Sequence, residues 1–301
     1  MKPTKYIFAA ALFCSLCLPL QAKLNVVATL PDFASIAQEI GGDKIDITAL
    51  AKATEDPHFV DARPSFVVKL READVLIDGG AELEIGWLPP LLQNARNPKI
   101  EVGKPGRVQA FEGIRLMNVP ANVTRAAGDV HAMGNPHFAV DPIIAKAIAQ
   151  HIATAFAAVD PPNAAAYQAN YKTFEATINA KLQEWGAKLF AGQRSEPGRL
   201  SRFVGLFRAP LRIQHRYFSR AEAGHPAFTF APDRSDCADE GAKIKVILVE
   251  PFHDRRIAEK VASATGAKVV DFAQFPGGLP GTDTYVKLID TLVSRLAAAL
   301  K

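Results

Sequence analysis

Residues 23–50 have the sequence KLNVVATLPDFASIAQEIGGDKIDITAL, which contains one complete strand–helix–strand unit. The apolar run at Lys23–Leu30 predicts a buried strand, and Pro31–Ile40 has the apolar spacing of a helix, closed by two glycines. A second strand is predicted at Lys44–Leu50. Strands that alternate with helices favour a parallel sheet covered on both faces, so this unit predicts an α/β fold.

Three further helices and one strand follow this unit. Arg63–Ala73 has the spacing of a helix, and Asp74–Asp78 (DVLID) that of a buried strand. Asp141–Val159 begins with an Asp-Pro pair, which is typical of a helix N-cap and first turn. Asn163–Phe190 runs for about 28 residues without proline and predicts a helix roughly 40 Å long. Since one small domain needs less than this, we interpret it as a rigid connector.

The alternation of strands and helices returns after the connector. A strand, a helix, a second strand and an amphipathic closing helix are predicted, in this order, at Lys243–Glu250, Asp254–Thr265, Lys268–Phe272 and Thr282–Leu300. The sequence therefore predicts an α/β fold of two βα lobes with parallel sheets, joined by one long connector helix.

Residues 1–22 have the features of a secretory signal peptide. Two lysines precede the mostly apolar run Tyr6–Leu20, and a small residue at Ala22 completes a cleavage site. The run is too short for a membrane-spanning helix. Cleavage near Ala22 predicts a periplasmic protein, with a lipid anchor on Cys17 as the alternative.

The mature chain is predicted to consist of an N-terminal lobe at 23–160, the connector at 161–190 and a C-terminal lobe at 191–301. Cleavage leaves Cys237 as the one cysteine, so no internal disulfide is possible, and a chain of this length can bury a core without one. The net charge of +4 is not concentrated in a basic stripe with interleaved aromatic residues. Nucleic-acid binding therefore gets no support.

Two of the seven histidines share a distinctive local sequence. His58 ends the tetrapeptide EDPH and His137 ends GNPH, and each follows a proline on a loop shortly before a helix. Open α/β sheets bind ligands on such loops. A single histidine there is more often a surface residue than a ligand, but the repeated context makes both candidate metal ligands. His131 is interpreted as a loop neighbour rather than an accessory ligand. The remaining histidines are predicted to be structural or solvated, or have no assigned role: His151, His215, His225 and His253.

Five segments of the chain resemble the periplasmic solute-binding proteins of zinc and manganese ABC transporters, the cluster with two lobes and a single linking helix. They are NVVATLPDFASIAQEIGG (25–42), EDPHFVDARPSFVVKLREADVLIDGG (55–80), GNPHFAVDP (134–142), VILVEPFHDRRIAEKVA (246–262) and PGTDTYVKLIDTLV (280–293). The Asp-Pro-His and Gly-Asn-Pro-His blocks are specific, since the first two metal ligands of this family lie in them. The resemblance therefore implies ligand roles for His58 and His137.

The resemblance also implies two further ligands. The third, usually a histidine, stands in a Tyr-His block that is absent from this chain as written; its place would be near Ser201. The fourth is usually a carboxylate between the last strand and the closing helix, where Asp271 is the candidate and Asp283 its rival. Glu250, at the end of a predicted strand, is expected at most to support the ligands.

The function implied is capture of a divalent transition-metal ion in the cleft between the lobes and delivery to an ABC importer. The expected cargo is Zn²⁺ in preference to Mn²⁺, the expected partner is the membrane permease, and the expected state is a monomer. Three imidazoles and a carboxylate leave no open position for an activated water, so we expect no enzyme. A metal-linked adhesin on the same fold and a secreted metallohydrolase are the alternatives.

Residues 193–240 fit neither the fold pattern nor the resemblance. They contain eight arginines and no lysine, five phenylalanines and no helical or strand period. The resemblance stops near Gly192 and resumes at Lys243 without an obvious change of length. We therefore predict that this segment is translated out of frame or was misread, with a divergent surface insertion as the alternative.

Overall fold

The computed structural model describes residues 22–117, 119, 131–189 and 246–301. The strands are β1 Leu24–Ala28, β2 Ile45–Ala49, β3 Val75–Asp78, β4 Arg107–Gln109, β5 Val246–Val249 and β6 Lys268–Asp271. The α-helices are α1 Pro31–Gly41, α2 Pro64–Glu72, α3 Leu88–Ala95, α4 Pro142–Val159, α5 Ala164–Leu189, α6 Arg255–Thr265 and α7 Tyr285–Ala299. The signal peptide up to residue 21 and the segment 193–240 lie outside the described residues.

The N-terminal part is a four-stranded parallel sheet in the order β2-β1-β3-β4. The central strand β1 is almost wholly buried because apolar residues occupy both of its faces, as expected for a parallel sheet covered by helices. Parallel strands end at a common edge of the sheet. The loops after β1, β2 and β3 therefore meet there, and His58 lies on the loop after β2.

Helix α4 forms much of the core on one side of this sheet. By length and composition alone it is the one helix of the described part of the chain that would be able to cross a membrane. Its residues Ile144, Ile148, Ile152 and Phe156 are buried. They pack against α1 and α5, as the apolar face of a core helix does.

Helix α5 contacts both halves of the chain. Its buried residues recur at the three-, four- and seven-residue spacing of one helix face: Tyr167, Phe174, Ile178, Leu182 and Trp185. This face packs against α1 and α4 on the N-terminal side and against α7 on the C-terminal side. A continuous helix of this length forms one rigid element between the two sheets.

The C-terminal part contains the parallel pair β5–β6, flanked by α6 and α7. Helix α7 is also joined to the N-terminal part through the buried Tyr285. Its backbone N–H donates to Ser35 Oγ at 2.8 Å, and its hydroxyl donates to the carbonyl oxygen of Ala139 at 2.8 Å. Since Ala139 follows His137 by two residues, this contact helps to fix the loop that carries that histidine.

The predicted fold class, α/β with parallel sheets, is confirmed. Two short elements were missed, the helix α3 and the strand β4. Helix α3 has two prolines in its first turn, and β4 has three residues, so neither has a readable period. The predicted domain boundaries stay predictions.

Candidate metal centre

The loop after β2 holds His58 through its own aspartate. Asp56 Oδ1 accepts the backbone N–H of His58 at 2.9 Å, which forms an Asx turn across Pro57, and the same oxygen lies 3.0 Å from His58 Nδ1. Trp87 Nε1 donates to the Pro57 carbonyl at 2.8 Å and fixes the loop from behind. Burial alone would raise the pKa of Asp56, but the hydrogen bonds from the ring and backbone of His58 outweigh it and lower that pKa.

His137 is held by a second Asx turn of the same design. Asn135 Oδ1 accepts the backbone N–H of His137 at 2.9 Å, and Pro136 lies between them. Helix α4 then begins after Asp141, whose Oδ1 accepts the N–H of Ile143 at 2.9 Å as an N-cap. The two proline-histidine blocks therefore place their imidazoles by the same local chemistry.

The imidazoles of three histidines lie close together. The ring centroids of His58 and His137 are 4.9 Å apart, and those of His58 and His131 are 5.1 Å apart. His58 Nε2 lies 3.0 Å from His131 Nε2. The structure thus brings His58 and His137 together. It also adds His131, six positions before His137, which the sequence predicted to be a loop neighbour.

Two of the three rings have an acceptor within hydrogen-bond distance of Nδ1. For His58 it is Asp56 Oδ1 and for His137 it is Gln274 Oε1 at 2.9 Å, whereas Glu82 Oε2 lies 3.9 Å from His131 Nδ1, beyond hydrogen-bond distance. An acceptor at Nδ1 keeps the proton on that nitrogen and leaves the lone pair on Nε2. Metal-binding histidines have this arrangement. The part played by Gln274, as the acceptor for His137, was not predicted from the sequence.

Gln274 lies three residues beyond β6 and connects His137 to a buried carboxylate. Its Nε2 donates to Glu250 Oε1, and Glu250 is 3 % exposed at the end of β5. His253 Nε2 lies 3.5 Å from the other oxygen of Glu250. In this geometry the Glu250 carboxylate is connected to His137 through the Gln274 amide.

A small cavity of about 10 Å³ lies beside His137 and Gln274, and the buried carboxyl of Asp32 is part of its wall. Desolvation by burial raises the pKa of Asp32 from 3.8 to about 7, although backbone hydrogen bonds such as that from the Phe33 N–H, at 2.8 Å, lower it. The wall of the site thus carries an acidic group that titrates near neutral pH.

The two candidates for the fourth ligand make other contacts. The Asp271 carboxylate pairs with the guanidinium of Arg255 and lies 3.5 Å from that of Arg295. Asp283 pairs with Lys287 at 2.9 Å next to the start of α7. Both carboxylates are about half exposed or more, and their ion pairs are with cations rather than with the histidines.

In the part of the chain that the structure describes, no group of three or more His, Cys, Asp or Glu side chains is arranged to hold a metal ion. The spacing of the imidazoles shows how close the arrangement comes. Two nitrogens bound to one tetrahedral zinc are about 3.3 Å apart, given Zn–N bonds of about 2.0–2.1 Å, whereas the Nε2 atoms of His58 and His131 are 3.0 Å apart. At this distance the two nitrogens are hydrogen-bonded to each other, so one of them carries a proton in the metal-free protein. The expected third-ligand position, near Ser201, lies outside the described residues.

This chain is similar to a family and to individual proteins whose names describe metal uptake or metal transport. The profile of the family described as "Zinc-uptake complex component A periplasmic" matches residues 26–196. The chain is 29 % identical over 297 residues to the metal ABC transporter substrate-binding lipoprotein ScbA of Streptococcus cristatus, covering 93 % of this chain and 89 % of that protein. It is 27 % identical to the iron ABC transporter substrate-binding lipoprotein MtsA of Streptococcus pyogenes, covering 92 % of this chain and 89 % of that protein.

Solved structures share the fold over nearly the whole chain. A zinc-bound ZnuA deletion mutant superimposes with a TM-score of 0.66 at 20 % identity, covering 92 % of this chain and 98 % of that one. A manganese-bound periplasmic metal-binding protein from Candidatus Liberibacter asiaticus gives 0.65 at 18 % identity, covering 93 % of this chain and all of that one.

Proposed function

Because the chain belongs to the family of periplasmic zinc-uptake components, we propose that it captures a divalent transition-metal ion and delivers it to the membrane permease of an ABC importer. One observation carries the proposal. The imidazoles of His58 and His137 lie together, each with an acceptor oxygen within 3.0 Å of Nδ1, so that each of the two rings presents Nε2 as a metal donor.

The metal is proposed to bind His58 and His137, with His131 as a further imidazole in reach. Asp271 is kept as the proposed carboxylate ligand. To bind the metal it would have to leave both Arg255 and Arg295. Asp271 would therefore exchange its ion pairs with the two arginines for a bond to the metal ion.

Zinc is proposed as the preferred cargo. Imidazole nitrogen suits zinc, whereas manganese favours carboxylate, carbonyl and water oxygens. The group that reaches His137 from the C-terminal part is the neutral amide of Gln274 rather than a carboxylate. The named relatives are described for iron, manganese and metal in general, so the choice of metal is the point that the experiment has to decide.

Capture without turnover is proposed, in the periplasm and as a monomer. A site closed by imidazoles and a carboxylate has no open position at which a bound water would attack a substrate. The apo protein is expected to bind one ion per chain and to show no hydrolysis of ester or peptide substrates.

The test is calorimetric titration of the chelator-treated protein with zinc and with manganese. His58→Ala and His137→Ala are each expected to weaken zinc binding by about tenfold or more, the scale seen when a metal site loses a contact. His151→Ala, on α4 and outside the cluster, is the matched control and should leave the affinity unchanged. Asp271→Asn tests the fourth ligand in the same series. Zinc affinity that stays unchanged in both the His58→Ala and His137→Ala variants would overturn the site.

A further inference from the structure

We propose that Glu250 and Gln274 are positioning residues that set the tautomer of His137 before the metal arrives. The inference rests on the proposed function, which makes His137 a metal ligand. It assigns a task to two residues of the C-terminal part that do not themselves contact the ion.

The polarity of the contacts allows one arrangement. A carboxylate can only accept hydrogen bonds, so the Gln274 side chain must turn its NH₂ group toward Glu250. Its carbonyl oxygen Oε1 then faces His137 Nδ1 at 2.9 Å. An amide oxygen also only accepts, so Nδ1 must carry the proton. The lone pair of the neutral ring is therefore on Nε2.

Burial of Glu250 and Gln274 stabilises this arrangement. Glu250 is 3 % and Gln274 6 % exposed, so water has little access to replace either contact. A flipped Gln274 amide would set its oxygen against the Glu250 carboxylate. That buried contact between two acceptors would replace a hydrogen bond, whichever tautomer His137 adopts.

The connection crosses from one half of the chain to the other. Glu250 directly follows β5 and Gln274 follows β6, whereas His137 precedes α4 on the N-terminal side. His58 differs, because its Nδ1 partner Asp56 lies on its own loop. A change at Glu250 should therefore act on His137 and leave His58 unaltered, which supplies a control within the same molecule.

The experiment begins with the metal-free wild-type protein. Two-bond ¹H–¹⁵N correlation spectra at about pH 8, above the ordinary pKa range of histidine, distinguish an Nδ1–H ring from an Nε2–H ring. We expect His137 and His58 both to be Nδ1–H tautomers. A His137 ring that carries its proton on Nε2 would overturn the proposal before any variant is made.

Glu250→Gln is the first variant. The new amide can donate as well as accept, so Gln274 is no longer forced to present its oxygen to His137. We expect a shift of His137 toward the Nε2–H tautomer, no change at His58, and about tenfold weaker zinc binding, the scale of losing a partner of a ligand. A Glu250→Gln protein that keeps its fold and the wild-type His137 tautomer contradicts the proposal.

The double variant Glu250→Gln, Gln274→Glu separates positioning from general damage. It exchanges the amide and the carboxylate, so the group next to His137 again only accepts, while the buried charge and volume are kept. We expect the Nδ1–H tautomer and the zinc affinity to return together. A double variant in which His137 does not return to the Nδ1–H tautomer would contradict the proposed positioning of His137 by Glu250 and Gln274. Zinc binding absent from every protein, with the tautomers as expected, would instead overturn the proposed function alone.

Discussion

The two Asx turns fix similar imidazoles but differ in charge. Asp56 offers one carboxylate oxygen to both the backbone and the ring of His58. Asn135 takes only the backbone N–H of His137, whose ring reaches the neutral Gln274 instead. A carboxylate next to Nδ1 makes an imidazole a stronger metal donor than an amide does. His58 is therefore expected to contribute more to affinity, and His137 to connect the metal to the C-terminal part.

The buried carboxyl of Asp32 should make the stability of the metal-free protein depend on pH. Its pKa of about 7 in the folded state exceeds the ordinary 3.8 because burial disfavours the charged form. Between these values the folded state binds more protons than the unfolded state, so the free energy of unfolding falls as pH rises from about 4 to about 7. The slope from this group is at most about 1.4 kcal/mol per pH unit.

Denaturant unfolding of the chelator-treated protein across this pH range measures that slope. Asp32→Asn keeps the acceptor for the Phe33 N–H and should remove the contribution. Asp61→Asn makes the same chemical change at an exposed position and should keep it. Parallel pH profiles for the wild type and Asp32→Asn would show that Asp32 carries no linked proton.

At the scale of elements, a buried indole is part of the contact between α5 and the C-terminal helix α7. Trp185 is 1 % exposed, and its Nε1 donates to Asp290 Oδ1 of α7 at 2.6 Å. Lys181 Nζ lies 3.1 Å from the same oxygen. We expect Trp185→Ala to lower the free energy of unfolding by about 3–5 kcal/mol, because it leaves a cavity and removes the hydrogen bond from the indole to Asp290.

Gln183→Ala, on the exposed side of α5, is the matched control, since glutamine and alanine both form helices well. It should change the free energy of unfolding by less than about 0.5 kcal/mol. An equal loss in the two variants would contradict the prediction that the contact of Trp185 with α7 sets the stability of this region.

Which elements and ligands were predictable depends on the range of the interactions that form them. The long helices α4 and α5 carry a full period in the sequence, and the Asx turns that place His58 and His137 are complete within four residues. Gln274 meets His137 across 137 residues, so no local pattern indicates it. The same is true of His131, whose ring meets His58 only after the loops that follow the N-terminal strands have come together.

For the whole molecule, the ties between the two halves restrict how the cleft can open. Helix α5 packs on both sides, Tyr285 bonds to Ser35 and Ala139, and Gln274 joins His137 to Glu250. Release of a metal by a wide hinge motion would break all of these contacts. Loop movements and small displacements of the lobes would preserve most of them.

Small-angle scattering with and without zinc tests this rigidity. The radius of gyration expected at this size is about 19 Å, and we expect the metal to change it by less than about 1 Å. Chelator-treated protein to which zinc is then restored provides the control for reversibility. A larger change would contradict the connector as a rigid spacer.

The last prediction concerns residues 193–240, which lie outside the described structure. The family match ends at residue 196, close to the start of this segment. The genetic code permits residues 224–232 (GHPAFTFAP), read one nucleotide later, to encode Gly-Ile-Pro-Pro-Ser-Pro-Ser-His-Leu, a proline-rich block like that of the resembled family. Residues 200–207 (LSRFVGLF) can in the same frame encode Tyr-His-Asp-Ser-Ser-Ala-Tyr-Phe. That octapeptide has the form of the missing third-ligand block, with its histidine at the position of Ser201.

Because several codons encode each residue, one such match to the family could arise by chance. Two matches in the same reading frame, each at its expected place, favour a shifted frame over a divergent surface insertion. Resequencing the gene decides the reading frame, and zinc titration decides its consequence. The reframed protein should bind zinc at least about tenfold more tightly than the chain as written, because it gains an imidazole at the metal. A reframed protein with alanine at the position of Ser201 is the control and should lose that gain. A gene sequence that confirms the present frame, together with tight zinc binding by the chain as written, would contradict the prediction, since His58, His131 and His137 would then suffice.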